Sequence, residues 1–238
     1  MKLRSIIALL ALVTVIMSSC DSLQKDVSLK TETDTISYLI GNNIGSSLLQ
    51  DRLDTVLDLN IIAKGIQDAV DSVDLPVDKM QAQMMMQAYF MKRQQAQLEK
   101  EYGHNKVEAN EFLSQNKNRP GVTELPSGLQ YEVLVEGSGP SPKSGDKVKA
   151  HYTGTLLDGT KFDSSYDRGE AFEFNVDGRV IPGWNEIIKY MKVGSKYKIW
   201  VPSHLGYGDR GYGNIEPFKM LIFELELIDF TPKEKADK

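Results

Sequence analysis

A chain of 238 residues has room for one large domain or two ordinary ones, and 41% hydrophobic with 26% charged residues excludes wholesale disorder. A formal net charge of −5, with lysines and arginines scattered rather than striped, argues against a nucleic-acid partner. One cysteine excludes an internal disulfide, and three dispersed histidines without a cysteine companion make no zinc site.

Lys2 and Arg4 precede an apolar run from Ile6 to Met17, followed by Ser18, Ser19 and Cys20. A basic start, a short apolar stretch and small residues at its end predict a secretory signal peptide over residues 1–19. The apolar run is too short to span a bilayer. Cys20 stands where a bacterial lipobox, which this stretch resembles, places its lipidated first residue. Residues 20–33 then read as a polar tether, held to a membrane by acyl chains worth about 0.8 kcal/mol per buried methylene.

From Asp34 to Leu75 the apolar residues fall in short helical clusters: Ile36, Leu39 and Ile40, then Ile44, Leu48 and Leu49, then Ile61, Ile62, Ile66 and Val70. Gly41, Gly45 and Gly65 interrupt them, each costing a helix about 1 kcal/mol relative to alanine, so close helix-helix approach is expected there. None of these clusters can bury itself, so residues 34–75 predict an all-helical unit that needs a partner surface. In the next segment, 76–120, Met80, Met84, Ala88, Met91, Gln95, Leu98 and Tyr102 recur at steps of four or three. That spacing predicts one connecting helix from Asp78 to Gln115, roughly 55 Å long. Its methionine-rich first half suits packing against another helix, with an adaptable surface for unfolded clients as the second reading. Together these segments predict a homodimer.

From Gly121 turn residues become frequent, and β-rich runs appear at Leu129–Val135, Lys147–Leu156, Lys196–Val201 and Lys219–Phe230. The last alternates, with Leu221, Phe223, Leu225 and Leu227 on one side and Ile222, Glu224, Glu226 and Ile228 on the other. Such alternation predicts an antiparallel sheet wetted on one face. With one short helical patch, Trp184–Met191, residues 121–231 read as an α+β domain, and 232–238 as a polar tail.

Within this domain Val180-Ile181-Pro182-Gly183-Trp184 sets a tryptophan just after a backbone turn, as the floor of an apolar pocket would require. Tyr152, Phe162, Phe172, Tyr207 and Phe223 can supply its walls. No nucleophile-base pair accompanies them. Rotation about the amide before proline needs only such a pocket: its barrier of about 18–20 kcal/mol reflects amide resonance, which the twisted state has lost. A dry site that favours the twisted state accelerates rotation by differential binding, with no covalent step.

The motifs His151-Tyr152-Thr153-Gly154, Asp158-Gly159, Lys161-Phe162-Asp163-Ser164-Ser165, Val180–Trp184, Leu205-Gly206-Tyr207-Gly208 and Leu221–Leu227 follow one another in the order of a known family. Residues 121–230 resemble an FKBP-type peptidyl-prolyl cis-trans isomerase, and residues 34–138 resemble the helical dimerisation module of the FkpA and Mip type. The resemblance implies an antiparallel half-barrel wrapped on a short helix, preceded by the dimerisation helices. It implies that Tyr152, Phe162 and Phe223 wall the pocket above Trp184, that Tyr207 is a hydroxyl donor at the mouth, and that Asp163 lies near the twisting amide. Arg168 is implied to pair with Asp163, Phe172 to add to the pocket, and Val180 and Ile181 to contact substrate through the backbone. The loop Asp209–Pro217 departs from the family: it is one residue shorter, and Glu216 stands where proline is usual. Asn214 or Ile215 is then expected at the pocket rim.

The expected function is isomerisation of X-Pro bonds in unfolded or proline-containing envelope proteins, with added chaperone activity, by a Gram-negative lipoprotein facing the periplasm or exposed at the outer-membrane surface. Neither cofactor nor metal is implied, and macrolides are candidate inhibitors. The alternative is a non-catalytic envelope chaperone or adhesion module that uses the pocket only for binding. Gly206–Gly211 satisfies G-x-G-x-x-G but lacks a surrounding βαβ unit, so no dinucleotide site is read there. His151 alternates away from Tyr152 and is read as structural, and Asp158, Asp163 and Asp167 lack calcium-loop spacing.

Overall fold

The computed structural model describes residues 27–233; the expected leader, Cys20 with the tether up to residue 26, and residues 234–238 lie outside the described residues. The chain divides into two compact units between Ala82 and Gln83.

In the first unit, helix α1 spans Glu32–Gln50 and α2 spans Leu59–Val70. α1 begins inside the expected tether because Thr31 and Asp34 form a capping box: the Thr31 hydroxyl accepts from the Asp34 N–H, and the Asp34 carboxylate accepts from the Thr31 N–H at 2.9 Å. Asp58 caps α2 by accepting from the Asn60 N–H at 2.8 Å. Neither helix buries a residue. A Cβ placed on Gly41, Gly45 or Gly65 would meet nothing within 4 Å, so the close approach expected of these glycines does not occur within one chain.

α3 runs unbroken through Gly103 from Lys79 to Asn116. It starts on Asp78, whose carboxylate accepts from the Met80 and Gln81 N–H groups at 2.9 and 3.0 Å. Met80, Met84, Met85, Met86 and Met91 are exposed along its first half.

The second unit holds most of α3 and a seven-stranded antiparallel sheet, with strands β1 (Val122–Glu124), β2 (Gln130–Val135), β3 (Lys147–Thr155), β4 (Lys161–Ser164), β5 (Phe172–Asn175), β6 (Lys196–Val201) and β7 (Leu221–Thr231). Their order is β1-β2-β6-β7-β3-β4, with β5 also paired to β3. The alternation of β7 sends Leu221, Phe223, Leu225 and Leu227 into the core. There they meet the short helix α4 (Pro182–Ile187) and the residues just after it, Ile188 and Met191. α4 begins earlier than the helical patch expected from sequence, because Pro182 presets its first turn, and gives way to turns after Ile187.

The other face of the sheet is not left wholly to water. Ala109 of α3 packs on Trp200 and Met220, joined by Phe112, Leu113 and Ile222. Beside this cluster the Asn116 amide donates to Gln130 Oε1 at 2.8 Å, and the Gln130 amide donates to the Leu113 carbonyl at 2.9 Å and to Glu124 at 2.7 Å. Asn116 and Gln130 are both buried, so the end of α3 is fastened by a satisfied polar network. Strands β1, β4 and β5 escape sequence reading because three or four residues are too few to establish an alternation.

Candidate active site

Trp184 lies on α4 with 4% of its surface exposed, held where Pro182 turns the chain and the Ile181 carbonyl accepts from the Trp184 N–H at 3.0 Å. The preceding loop is tied to the same helix: Asn185 Oδ1 accepts from the Asp177 N–H at 2.8 Å, and its amide donates to the Gly178 carbonyl at 3.2 Å. Val180 and Ile181 are thereby presented beside the indole.

Around Trp184 stand rings from separate elements. Tyr152 (β3), Phe223 (β7) and Phe172 (β5) meet the indole edge to face, at centroid distances of 4.8, 5.2 and 6.0 Å. Phe162 (β4) meets Phe223 at 5.6 Å and 89°. Such edge-on contacts are favoured by the ring quadrupoles. They depend on Gly154, where a Cβ would lie 2.6 Å from Phe162 and 2.9 Å from Phe223. The rings enclose a cavity of about 540 Å³, lined also by Asp163, Arg179, Val180, Ile181, Tyr207 and Tyr212. The indole nitrogen is buried without a hydrogen-bond partner among the described residues.

Both oxygens of Asp163 have a partner. One carboxylate oxygen accepts from the Tyr152 hydroxyl and the other from Arg168, while a second Arg168 nitrogen donates to the Tyr152 oxygen at 2.8 Å. Burial alone would raise the Asp163 carboxyl, but the bonds from Tyr152 and Arg168 outweigh it and hold the group below the ordinary carboxylate value. Burial, reinforced by the bond to Asp163, pushes the Tyr152 phenol up to about 12. The pair is therefore ionic at Asp163 and neutral at Tyr152 at physiological pH, and Tyr152 offers the cavity its ring. Burial also raises Tyr207, with Tyr212 and Asp163 acting in the same direction, so its phenol keeps its proton.

Most of the residues singled out from sequence converge here: Tyr152, Phe162, Asp163, Phe172, Val180, Ile181, Trp184, Tyr207 and Phe223 all line one cavity. Arg168 stands outside it and reaches it through Asp163 and Tyr152. Ile215 corrects an expectation. It is 6% exposed and packs into the core, because its N–H and carbonyl pair with Tyr212 at 2.9 Å and turn its side chain inward. The rim position falls instead to Tyr212, which stacks on Tyr207 at 4.9 Å. Sequence reading also missed Arg179, a charged loop residue whose only signal is its place directly before Val180.

Fold and cavity together define a class, the α+β domains built around an aromatic pocket. Comparison with known proteins narrows it. Residues 33–133 match the domain amino terminal to FKBP-type peptidyl-prolyl isomerase, and residues 139–228 match FKBP-type peptidyl-prolyl cis-trans isomerase itself. The chain is 36% identical to outer membrane protein MIP of Legionella longbeachae over 232 residues, 96% of this chain and 97% of that one. It is 40% identical over 207 residues to the FKBP-type peptidyl-prolyl cis-trans isomerase FkpA of Aeromonas hydrophila, covering 84% of this chain and 76% of the relative. The crystal structure of FkpA from Escherichia coli superposes with a TM-score of 0.55 at 33% identity, over 86% of this chain and 99% of that structure. The chain belongs to the FKBP-type peptidyl-prolyl cis-trans isomerase family and is an enzyme of that activity.

Proposed function

We propose that the aromatic cavity is where the chain turns X-Pro amides, and that its substrates are unfolded proteins of a Gram-negative cell envelope. The observation that supports this most is the enclosure of Trp184 by Tyr152, Phe162, Phe172 and Phe223, with an acid already neutralised by Arg168. A proline ring laid on the indole face exchanges water for aromatic carbon. The twisted amide, with its less polar carbonyl, loses less in that transfer than the planar one, so binding favours the transition state. Asp163 acts by fixing Tyr152 rather than as a base, since the bonds from Tyr152 and Arg168 hold its carboxyl below the ordinary value.

The finer reading extends to assembly and place. α1 and α2 expose Ile36, Leu39, Ile40, Ile44, Ile61, Ile66 and Val70, an apolar surface suited to a second copy of the chain. Lipidation at Cys20 would hold the dimer at a membrane, in keeping with the outer-membrane name of its Legionella relative. Two sites carried by one dimer raise the effective concentration of a second proline on the same client. The exposed methionines of α3 favour chaperone activity as a companion function.

A protease-coupled assay on a proline tetrapeptide tests the site. Trp184→Ala should lower kcat/KM by about tenfold or more while circular dichroism stays that of the folded protein. Equal rates for the two proteins would place the chemistry elsewhere.

A further inference from the structure

The loop from Asp209 to Pro217 contributes Tyr212 to the mouth of the cavity, yet it forms no strand. Its internal supports are the Tyr212–Ile215 bridge and a bond from the Phe218 N–H to the Gly208 carbonyl at 2.8 Å. Gly211, at φ +64°, keeps the turn tight: a Cβ there would lie 2.3 Å from the Ile215 carbonyl. Tyr212 itself is 68% exposed. Ile215 anchors the loop in the core, but Tyr212 itself lies on no strand.

A grip on this loop comes from α3. Asn105 is 2% exposed, and its amide nitrogen donates to Glu216 Oε2 at 3.2 Å and to the Pro217 carbonyl at 2.9 Å. Both partners only accept, so the orientation of the amide is unambiguous. One residue on, the Lys106 ammonium sits 4.1 Å from the centroid of the Phe218 ring. The helix that carries them is anchored on the sheet through Ala109, Asn116 and Gln130. Stability alone does not account for the choice of asparagine. Its Oδ1 is buried with no hydrogen-bond partner among the described residues, which costs free energy that an apolar residue would spare. What the amide adds is direction, two bonds that fix the loop where it leaves the cavity mouth.

We propose that Asn105 is a positioning residue for the isomerase site: from the connecting helix it holds Glu216 and Pro217 so that Tyr212 stays stacked on Tyr207, and it thereby sets affinity for the residues flanking the substrate proline. Glu216 supplies half of this contact.

The test uses the whole mature chain and proline tetrapeptides in the protease-coupled assay, with kcat and KM determined separately. Asn105→Ala should raise KM about fivefold at nearly unchanged kcat, the size expected for loss of directed hydrogen bonds at a binding surface. Leu227→Ala, a core truncation on β7, should lower the melting temperature without that rise and so separates positioning from stability. Glu216→Gln keeps an acceptor oxygen and should leave KM within about twofold of wild type, whereas Glu216→Ala should raise it. If Asn105→Ala does not fold, the two Glu216 variants decide by the same comparison. A KM in Asn105→Ala within about twofold of wild type, an equal rise in Leu227→Ala, or identical KM values for Glu216→Gln and Glu216→Ala would overturn the proposal. Wild-type turnover in the same assay keeps its failure distinct from failure of the isomerase site itself.

Discussion

Tyr152, Asp163 and Arg168 show how much one buried hydroxyl can decide. The phenol sits between a carboxylate that accepts from it and a guanidinium that donates to it, which turns the ring edge-on to Trp184. Burial and the Asp163 bond raise its pKa to about 12, so the folded protein binds this proton more tightly than the unfolded chain does. That contribution to stability is fully present below about pH 10, the ordinary tyrosine value, and is lost as pH rises towards 12. In a spectrophotometric titration, the difference between wild type and Tyr152→Phe should therefore centre near pH 12; a difference centred near 10 would show the phenol free of these partners. Asp163 has the opposite sign. Its carboxyl is depressed, so its contribution stands above the ordinary value of 3.8 and disappears as pH falls through the lower, folded one.

Elements were legible from sequence in proportion to their length. The eleven residues of β7 and the thirty-eight of α3 repeat their periods often enough to be read directly. β4 has four residues and carries both Phe162 and Asp163, which motif order rather than periodicity picked out. Tyr212 had neither period nor motif, since its place over the cavity follows from the turn at Gly211 and the grip of Asn105. The sheet's outer face was misjudged for a related reason. Trp200 and Ile222 give that face an apolar patch that α3 covers, a contact between segments far apart in sequence. The polar network beside it is all or nothing. Gln130→Ala would strand the Asn116 amide in a buried position and should cost about 2–3 kcal/mol, read as a lower midpoint in urea unfolding. An unchanged midpoint would mean that α3 docks by its apolar contacts alone.

For the whole molecule, the apolar surface of the helical unit is what most needs a partner. Ile40 and Ile44 lie one turn apart on α1 and are 57% and 39% exposed. Replacing both with glutamate should convert a dimer to monomer in sedimentation equilibrium while leaving tetrapeptide turnover per site nearly unchanged, because the cavity lies entirely within the second unit. A wild-type chain that sediments as a monomer at micromolar concentration would remove the dimer from the proposal. By itself the sequence determined the helical and α+β parts, the chemical class of the pocket and the family, because these rest on periodicity and on motifs whose order survives without coordinates. Only the tertiary structure decided that Ile215 turns inward while Tyr212 takes the rim, that Asp163 binds Tyr152 with one oxygen and Arg168 with the other, and that a helix residue reaches the active-site loop. Those outcomes depend on which distant groups meet across space, and local sequence patterns hold no record of such meetings.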